Sequence, residues 1–152
     1  MNIEVLPVLV FIGSIGSITM KYFAYGSNLD KKQMKTRCPD SQPLYPATLP
    51  NYKLIFVGWS RQLQGSVASI QRSQGSKVPG GVYEISDNDL RHLDKYEGYP
   101  TDYNRIKVIV FDEDGTAIEA VTYVKNGREA ENKPAKEYAT VIYQGYRDWG
   151  IV

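Results

Sequence analysis

The chain has 152 residues, of which 42% are hydrophobic and 23% are charged, and its formal net charge is +1. These values indicate a single globular domain that can bury a core without disulfides or metal. Because 18 Lys and Arg are interleaved with 17 Asp and Glu, no charged tract indicates a nucleic-acid partner. The single cysteine, Cys38, and the single histidine, His92, argue against a disulfide and against a Cys/His catalytic or metal site. A lone thiol predicts a reducing, cytoplasmic location.

The first 19 residues, Met1 to Thr19, differ from the rest because Val5 to Ile18 is apolar and interrupted by Pro and Gly. Glu4 stands where a secretory signal carries basic residues. The apolar run is also shorter than the roughly 20 residues that span a bilayer, so no stable membrane insertion is expected. Three interpretations remain: an additional strand, a weak membrane or export segment, or sequence upstream of a natural start at Met20. We favour the last, with one domain over residues 20–152.

The stretch from Tyr22 to Leu29 predicts a strand that ends in a tight turn before a helix. Tyr22 to Tyr25 is aromatic and apolar, Gly26 breaks the pattern, and Ser27 and Asn28 are favoured helix N-cap types. Asp30 to Arg37 reads as the helix. Such a turn leaves backbone N–H groups unpaired at the positive end of the helix dipole. It is either an ordinary capped turn or a site for a carboxylate or oxyanion.

The middle of the chain predicts strands separated by loops. After Cys38-Pro39, a proline-containing loop is expected over Asp40 to Pro50. The predicted strands are Tyr52 to Val57, Val67 to Gln71 and Val78 to Ile85, with a turn at Ser60 to Gly65 and a loop at Ser73 to Lys77.

The remaining elements are a capped helix, a hairpin and a final helix. Ser86 to Tyr96 predicts a helix with Ser86 and Asp89 in a capping box and with Gly98 ending it. Tyr103 to Phe111 and Ala117 to Val124 predict a hairpin around Asp112-Glu-Asp-Gly115. Pro134 opens the last helix, in which Tyr138, Ile142 and Gly145 share a face. The fold class is therefore α+β: a small mixed, largely antiparallel β-barrel or curled sheet with short flanking helices.

Glu97 is the candidate catalytic residue. It falls on the apolar stripe of Leu90 and Leu93, at the negative end of the helix dipole. Burial and the dipole would both raise its pKa toward neutrality, which suits a general base near pH 7. The alternative is that Glu97 lies in solvent at a frayed helix end. No metal site and no cofactor motif accompanies it, and His92 lies off the stripe.

Three blocks of sequence resemble the γ-glutamylcyclotransferase family. They are Tyr25-Gly-Ser-Asn-Leu29, then Leu93-Asp-Lys-Tyr-Glu-Gly98 followed by Pro100 and Tyr103, and finally Pro134-Ala-Lys-Glu-Tyr138 with Ile142 and Gly145. They occur in the family's order and extend from Met20 to about Ile151. Residues 1–19 have no counterpart in the family pattern.

The resemblance implies an enzyme that releases 5-oxoproline from a γ-glutamyl amide, classed as a C–N lyase or acyltransferase in glutathione-related metabolism. Glu97 matches the family's general acid/base. The matched substrate-binding residues are Tyr25, Gly26, Ser27, Asn28, Leu29, Tyr103 and Tyr138. No cofactor is implied, the partner is a small γ-glutamyl substrate, and the state is a monomer or homodimer. The leaving amine is left open: an amino acid, the ε-amine of lysine or an antibiotic precursor. The alternative function is a catalytically silent binding or regulatory module on the same scaffold.

Overall fold

Five strands close into a mixed barrel in the order β1-β3-β2-β4-β5. The computed structural model describes residues 19–60, 65–127, 131, 133–134 and 136–151, so the predictions for residues 1–18 and for most of the turn after Ser60 lie outside the described residues. The strands are β1 Thr19–Ala24, β2 Gln42–Ser60, β3 Gly65–Ser86, β4 Tyr103–Asp112 and β5 Ala117–Lys125. The helices are α1 Lys31–Arg37, α2 Asp87–Glu97 and α3 Lys136–Asp148. The predicted α+β class is confirmed.

Two predicted loops are wrong, because both belong to long paired strands. The segment from Asp40 to Pro50 falls largely within β2, which pairs antiparallel with β3 from Gln42 onward. Its prolines are tolerated because β2 contacts β4 at only Ala47 and Thr48 among the described pairs, so most of its other edge needs no N–H donors.

The predicted loop at Ser73 to Lys77 is a bulge inside β3. Tyr52 pairs with Arg72 and Pro50 pairs with Lys77, so β3 carries extra residues between these two pairs. Asn51 and Gly75 have φ values of 63° and 83°, and the Gly75 N–H donates to Asn51 Oδ1 at 3.1 Å. Two residues that readily adopt the left-handed conformation therefore place the irregularity here.

The helix α2 follows its predicted capping in detail. The Asp89 N–H donates to Ser86 Oγ at 3.1 Å, and the Ser86 N–H donates to Asp89 Oδ2 at 3.2 Å. Gly98 ends the helix with a φ of 74°, which a residue without Cβ adopts at low cost. Glu97 is consequently held as the last helical residue.

The other two helices begin differently from the prediction. Ser27 to Leu29 forms a 3₁₀ turn, and α1 is capped by Asp30, whose Oδ1 accepts from the Gln33 N–H at 3.0 Å. Ser27 and Asn28 are therefore not its N-caps. Pro134 pairs with Ser66 in an isolated bridge, and α3 begins at Lys136. The predicted hairpin of β4 and β5 is confirmed by continuous pairing from Tyr103–Lys125 to Phe111–Ala117.

The core consists of two clusters on opposite faces of the sheet. One fills the barrel and includes Phe23, Ile70, Val110 and Ile142. The other lies between the barrel and the helices and includes Tyr22, Leu29, Met34, Leu93 and Trp149. Tyr25 and Tyr138 belong to the first cluster, and Tyr103 belongs to the second. The predicted tyrosines of the site are therefore divided between the two clusters. Of the helices in the described part of the chain, none is long and apolar enough to cross a membrane.

Candidate active site

The turn after β1 is held rigidly by hydrogen bonds to its own backbone and to distant side chains. The Leu29 N–H donates to Gly26 O at 3.0 Å, and the Asp30 N–H donates to Ser27 O at 3.1 Å. Tyr83 OH donates to Asn28 O at 2.8 Å, and Trp149 Nε1 donates to Leu29 O at 2.8 Å. The Leu29 amide is thus used within the turn, so the amides of Gly26, Ser27 and Asn28 are the ones to consider for a ligand.

Glu97 lies half-buried at the end of α2 rather than frayed into solvent. Burial raises the pKa of its carboxyl from 4.5 to about 7, and the Arg37 guanidinium opposes this shift. At neutral pH the carboxyl is therefore divided between its charged and protonated forms. Such a group can accept a proton in one step of a reaction and return it in the next.

Tyr103 and Tyr138 converge on the backbone of Ala68 in β3. Tyr103 OH donates to Ala68 O at 2.7 Å, while Tyr138 OH accepts from the Ala68 N–H at 3.3 Å. A Cβ on Gly26 would lie 3.4 Å from Tyr138 OH, so Tyr138 also borders the turn. The structure therefore brings together residues that are separated by up to 112 positions in the chain.

The charge of Glu97 raises the pKa of tyrosines on four different elements and on the segment after β1. Desolvation comes first in raising the pKa of each, and Glu97 raises it further for Tyr22, Tyr25, Tyr103, Tyr123 and Tyr138. For Tyr138 the resulting pKa is about 12. These hydroxyls therefore stay protonated at neutral pH and add no negative charge near the carboxylate.

Sequence reasoning missed Tyr22, Tyr123 and Arg37 as parts of this site. Tyr22 OH accepts from Asn28 Nδ2 at 3.0 Å. The Tyr123 carbonyl accepts from Tyr25 OH at 2.6 Å, and Tyr123 OH donates to Asp94 Oδ1 at 2.6 Å. The high tyrosine content, 12 residues, was the available signal for the first two. Nothing in the local pattern around Arg37 indicated its role, because all its partners except Ser27 and Asn28 are distant in the chain.

The final helix packs directly on the turn through Gly145. A Cβ at this position would clash with Leu29 Cβ and lie 2.9 Å from the Leu29 carbonyl carbon and 3.0 Å from the Asp30 nitrogen. The latter two atoms are backbone, which cannot rotate away as a flexible side chain does.

We therefore expect Gly145→Ala to destabilise the protein by about 1–3 kcal/mol, the usual range for overpacking. In an unconstrained helix the same change would stabilise by about 1 kcal/mol. Urea unfolding would measure the difference, with Thr140→Ala at an exposed position of α3 as the control. A Gly145→Ala protein as stable as the wild type would contradict the tight packing of α3 on the turn.

A separate cavity of about 650 Å³ opens between the β2-β3 and β4-β5 hairpins. Its lining includes Tyr52, Ile70, Arg72, Asn104, Ile106 and Lys125. None of the predicted site residues lines it. No cluster of three or more His, Cys, Asp and Glu residues suited to a metal ion is present in the part of the chain that the structure describes.

A small mixed barrel that carries a near-neutral carboxyl group, a set of buried tyrosines and a backbone turn joined by Arg37 to the helix of that carboxyl defines a class of small α+β enzyme. A family model described as "Gamma-glutamyl cyclotransferase, AIG2-like" matches residues 22–147. The Gamma-glutamylcyclotransferase of Homo sapiens is 31% identical over 135 residues, which cover 86% of this chain and 71% of that protein. The Bos taurus protein of the same name is 33% identical over 135 residues, with the same two shares of 86% and 71%.

A solved structure described as "Gamma-glutamyl cyclotransferase" superposes with a TM-score of 0.84 at 29% identity, covering 88% of this chain and 82% of the other. The chain therefore belongs to the gamma-glutamyl cyclotransferase, AIG2-like family. This confirms the resemblance inferred from the three sequence blocks.

Proposed function

We propose that Glu97, together with the turn after β1 and the nearby tyrosines, carries out the cyclotransferase reaction of this family on a small γ-glutamyl amide. The observation that carries the proposal is geometric: Arg37 bonds to Ser27 and Asn28 of the turn and to Tyr96, the residue before Glu97 at the end of α2. The pKa of about 7 at Glu97 supports it. The products are 5-oxoproline and the free amine.

In the first step, the Glu97 carboxylate takes a proton from the α-ammonium group of the substrate. The freed amine attacks the γ-carbonyl carbon, forming a C–N bond and closing a five-membered ring with a negatively charged oxygen. Because nucleophile and electrophile belong to one molecule, ring closure has the proximity advantage of an intramolecular reaction. No covalent intermediate with the protein is required.

In the second step, the tetrahedral intermediate collapses and its C–N bond to the leaving group breaks. The protonated Glu97 gives its proton to the departing nitrogen, which restores the carboxylate, and the ring nitrogen loses its remaining extra proton to solvent as the neutral lactam forms. The amides of Ser27 and Asn28 are the proposed donors to the substrate's glutamyl group and to the oxyanion, since preorganised backbone donors are effective there. Tyr25, Tyr103 and Tyr138 form the wall, and Gly26 and Leu29 hold the shape of the turn.

A panel of γ-glutamyl amides that differ in the leaving amine tests this function. We expect 5-oxoproline from at least one of γ-glutamyl-L-alanine, Nε-(γ-glutamyl)-L-lysine and a γ-glutamyl alkylamine, quantified by chromatography. The isomer α-glutamyl-L-alanine is the matched control, because its α-amine cannot displace the alanine by closing a five-membered ring.

Binding of 5-oxoproline in a thermal-shift titration, without turnover of any amide, would contradict the enzymatic proposal and favour the silent binding module. The cytoplasmic location and the choice between monomer and homodimer stay predictions.

A further inference from the structure

Arg37 links the turn after β1 to the helix that carries Glu97. Its Nη1 donates to Ser27 Oγ at 3.2 Å and also to Asn28 Oδ1. Its Nη2 donates to Tyr96 OH at 2.6 Å, and Tyr96 immediately precedes Glu97 in α2. One planar guanidinium therefore spans the two halves of the proposed site, a task for which its fixed fork of donors is suited.

The contact with Asn28 determines how that side chain is oriented. Asn28 Oδ1 accepts from Arg37, and Asn28 Nδ2 donates to Tyr22 OH at 3.0 Å. With both ends of the amide engaged, Asn28 is held in one orientation although it lies on a short turn. Ser27 Oγ is held by the same guanidinium nitrogen. The two residues whose backbone amides are proposed to bind substrate are thus both fixed by Arg37.

Arg37 is the last residue of α1, and the residues that follow it anchor α1 to α2 at a second place. Cys38 Sγ donates to Asp89 O at 3.6 Å, and the Asp40 N–H donates to Asp89 Oδ1 at 3.2 Å. These contacts attach the end of α1 to the beginning of α2. The guanidinium carbon of Arg37 lies 3.6 Å from the centre of the Tyr96 ring. This contact attaches the end of α1 to the other end of α2. The position of Arg37 is therefore set by contacts within the fold.

Arg37 has a second effect, on the pKa of Glu97, because its charge differs from that of the other titratable groups around this carboxyl. The titratable groups that interact with Glu97 are Tyr22 and Tyr25 at the end of β1 and beyond it, Tyr103 from β4, Tyr123 from β5, Tyr138 from α3 and Arg37 from α1. The tyrosines have raised pKa values and are neutral at pH 7. Of the groups in this set, Arg37 alone carries a positive charge, and it lowers the pKa that burial raises at Glu97.

We infer that Arg37 is a positioning residue of the proposed cyclotransferase reaction, which holds Ser27 and Asn28 against α2 and places its positive charge on Tyr96, the residue before Glu97. This inference rests on the proposed function. It assigns Arg37 two separable effects, one on the geometry of the turn and one on the acid–base equilibrium of the catalytic carboxyl.

The test compares Arg37→Met and Arg37→Lys with Arg91→Met, a matched control that removes a positive charge from the exposed surface of α2. Kinetic constants are measured from pH 5 to 10 with the best substrate of the panel. Activity should rise with pH as Glu97 ionises, with a midpoint near 7 in the wild type, matching the pKa of about 7.

For Arg37→Met we expect the midpoint to move up by roughly one pH unit, since a nearby opposite charge typically shifts a pKa by 1–3. We also expect the plateau kcat at high pH to fall by about 10–100-fold, because misplacement of a substrate-binding group has effects of this order. Arg37→Lys should restore the midpoint but not the plateau, because a lysine keeps the charge without the forked geometry. Arg91→Met should stay within about twofold of the wild type at every pH.

The inference would be overturned if the pH–activity profile of Arg37→Met had the same midpoint as that of Arg91→Met, whatever the stability of the Arg37→Met protein. Titration of Glu97 by ¹³C NMR, assigned with Glu97→Gln, provides the same comparison without turnover. A wild type that releases no 5-oxoproline while Glu97 titrates higher in Arg37→Met would refute the proposed function and keep the electrostatic effect of Arg37. Normal turnover in the wild type with an unchanged Glu97 titration in Arg37→Met would refute the inference alone.

Discussion

Glu97→Gln is expected to lower the release of 5-oxoproline by about a thousandfold, within the 10²–10⁴ that a positioned acid–base group usually contributes. Glutamine has nearly the same shape as glutamate but cannot take up or return a proton at neutral pH. The substrate's amine would then have to lose its proton to water, and the leaving nitrogen would have to gain one from water. The loss should appear in kcat, since the glutamyl group is bound by other residues.

Glu113→Gln is the matched control for this variant, because it makes the same chemical change on an exposed residue of the β4-β5 turn. It should leave kcat and KM unchanged. Circular dichroism of both variants would establish that the barrel is intact. Full activity in the Glu97→Gln enzyme would refute the assignment of Glu97 as the general acid/base.

The same substitution is expected to make the protein more stable at alkaline pH. The carboxyl of Glu97 has a pKa of about 7 in the folded protein against 4.5 for an unperturbed glutamate. The folded state therefore binds more protons than the unfolded state between these two values, and the stability of the wild type falls as the pH rises from about 4.5 to 7. Glutamine does not ionise, so the variant escapes this loss.

The two pKa values correspond to at most about 3.5 kcal/mol, at about 1.4 kcal/mol per pH unit. Because Glu97 is half-buried and solvent screens part of the effect, we take this as an upper limit. Urea unfolding at pH 8 should show Glu97→Gln above the wild type by up to that amount, and the difference should vanish below about pH 4.5. The difference between Glu113→Gln and the wild type should not change with pH. The quantity to compare is the difference in stability between Glu97→Gln and the wild type. If this difference is no larger at pH 8 than at pH 4.5, the pKa of Glu97 is not raised.

Together the two expectations describe a residue that is kept at a cost in stability because its chemistry requires it. On these expectations, the half-buried carboxylate destabilises the folded protein at the pH of the proposed reaction, and its replacement should remove both the cost and the activity. This trade between stability and function is common at active sites.

The sequence by itself determined the elements whose signals are local. The Ser86–Asp89 capping box and Gly98 define α2 because each depends on residues within one helical turn. The Asp112–Gly115 turn defines the β4-β5 hairpin for the same reason. Glu97 was identifiable because it falls on the helix face that Leu90 and Leu93 make apolar. This pattern is also short-range. The order of three motifs along the chain was sufficient to recognise the family.

Only the tertiary structure decided how β2 and β3 pair and which residues belong to the proposed site. Pro43, Pro46 and Pro50 predicted a loop, yet β2 accepts them because pairing with β3 supplies a register and, among the described residues, β4 pairs with β2 only at Ala47 and Thr48. Ser27 and Asn28 looked like helix caps, but their side chains are used by Arg37 and Tyr22, which the fold brings to them.

The connection between the turn and Glu97 is likewise a property of packing. Tyr103 and Tyr138 meet at Ala68, and Arg37 joins Asn28 to Tyr96, across separations that no local pattern encodes. Local chemistry therefore identified which residues have the functional groups, because capping, turn and helix-face preferences act over a few residues. Closure of the barrel and docking of the helices decided which of those groups lie close to one another, because long-range contacts depend on the whole chain at once.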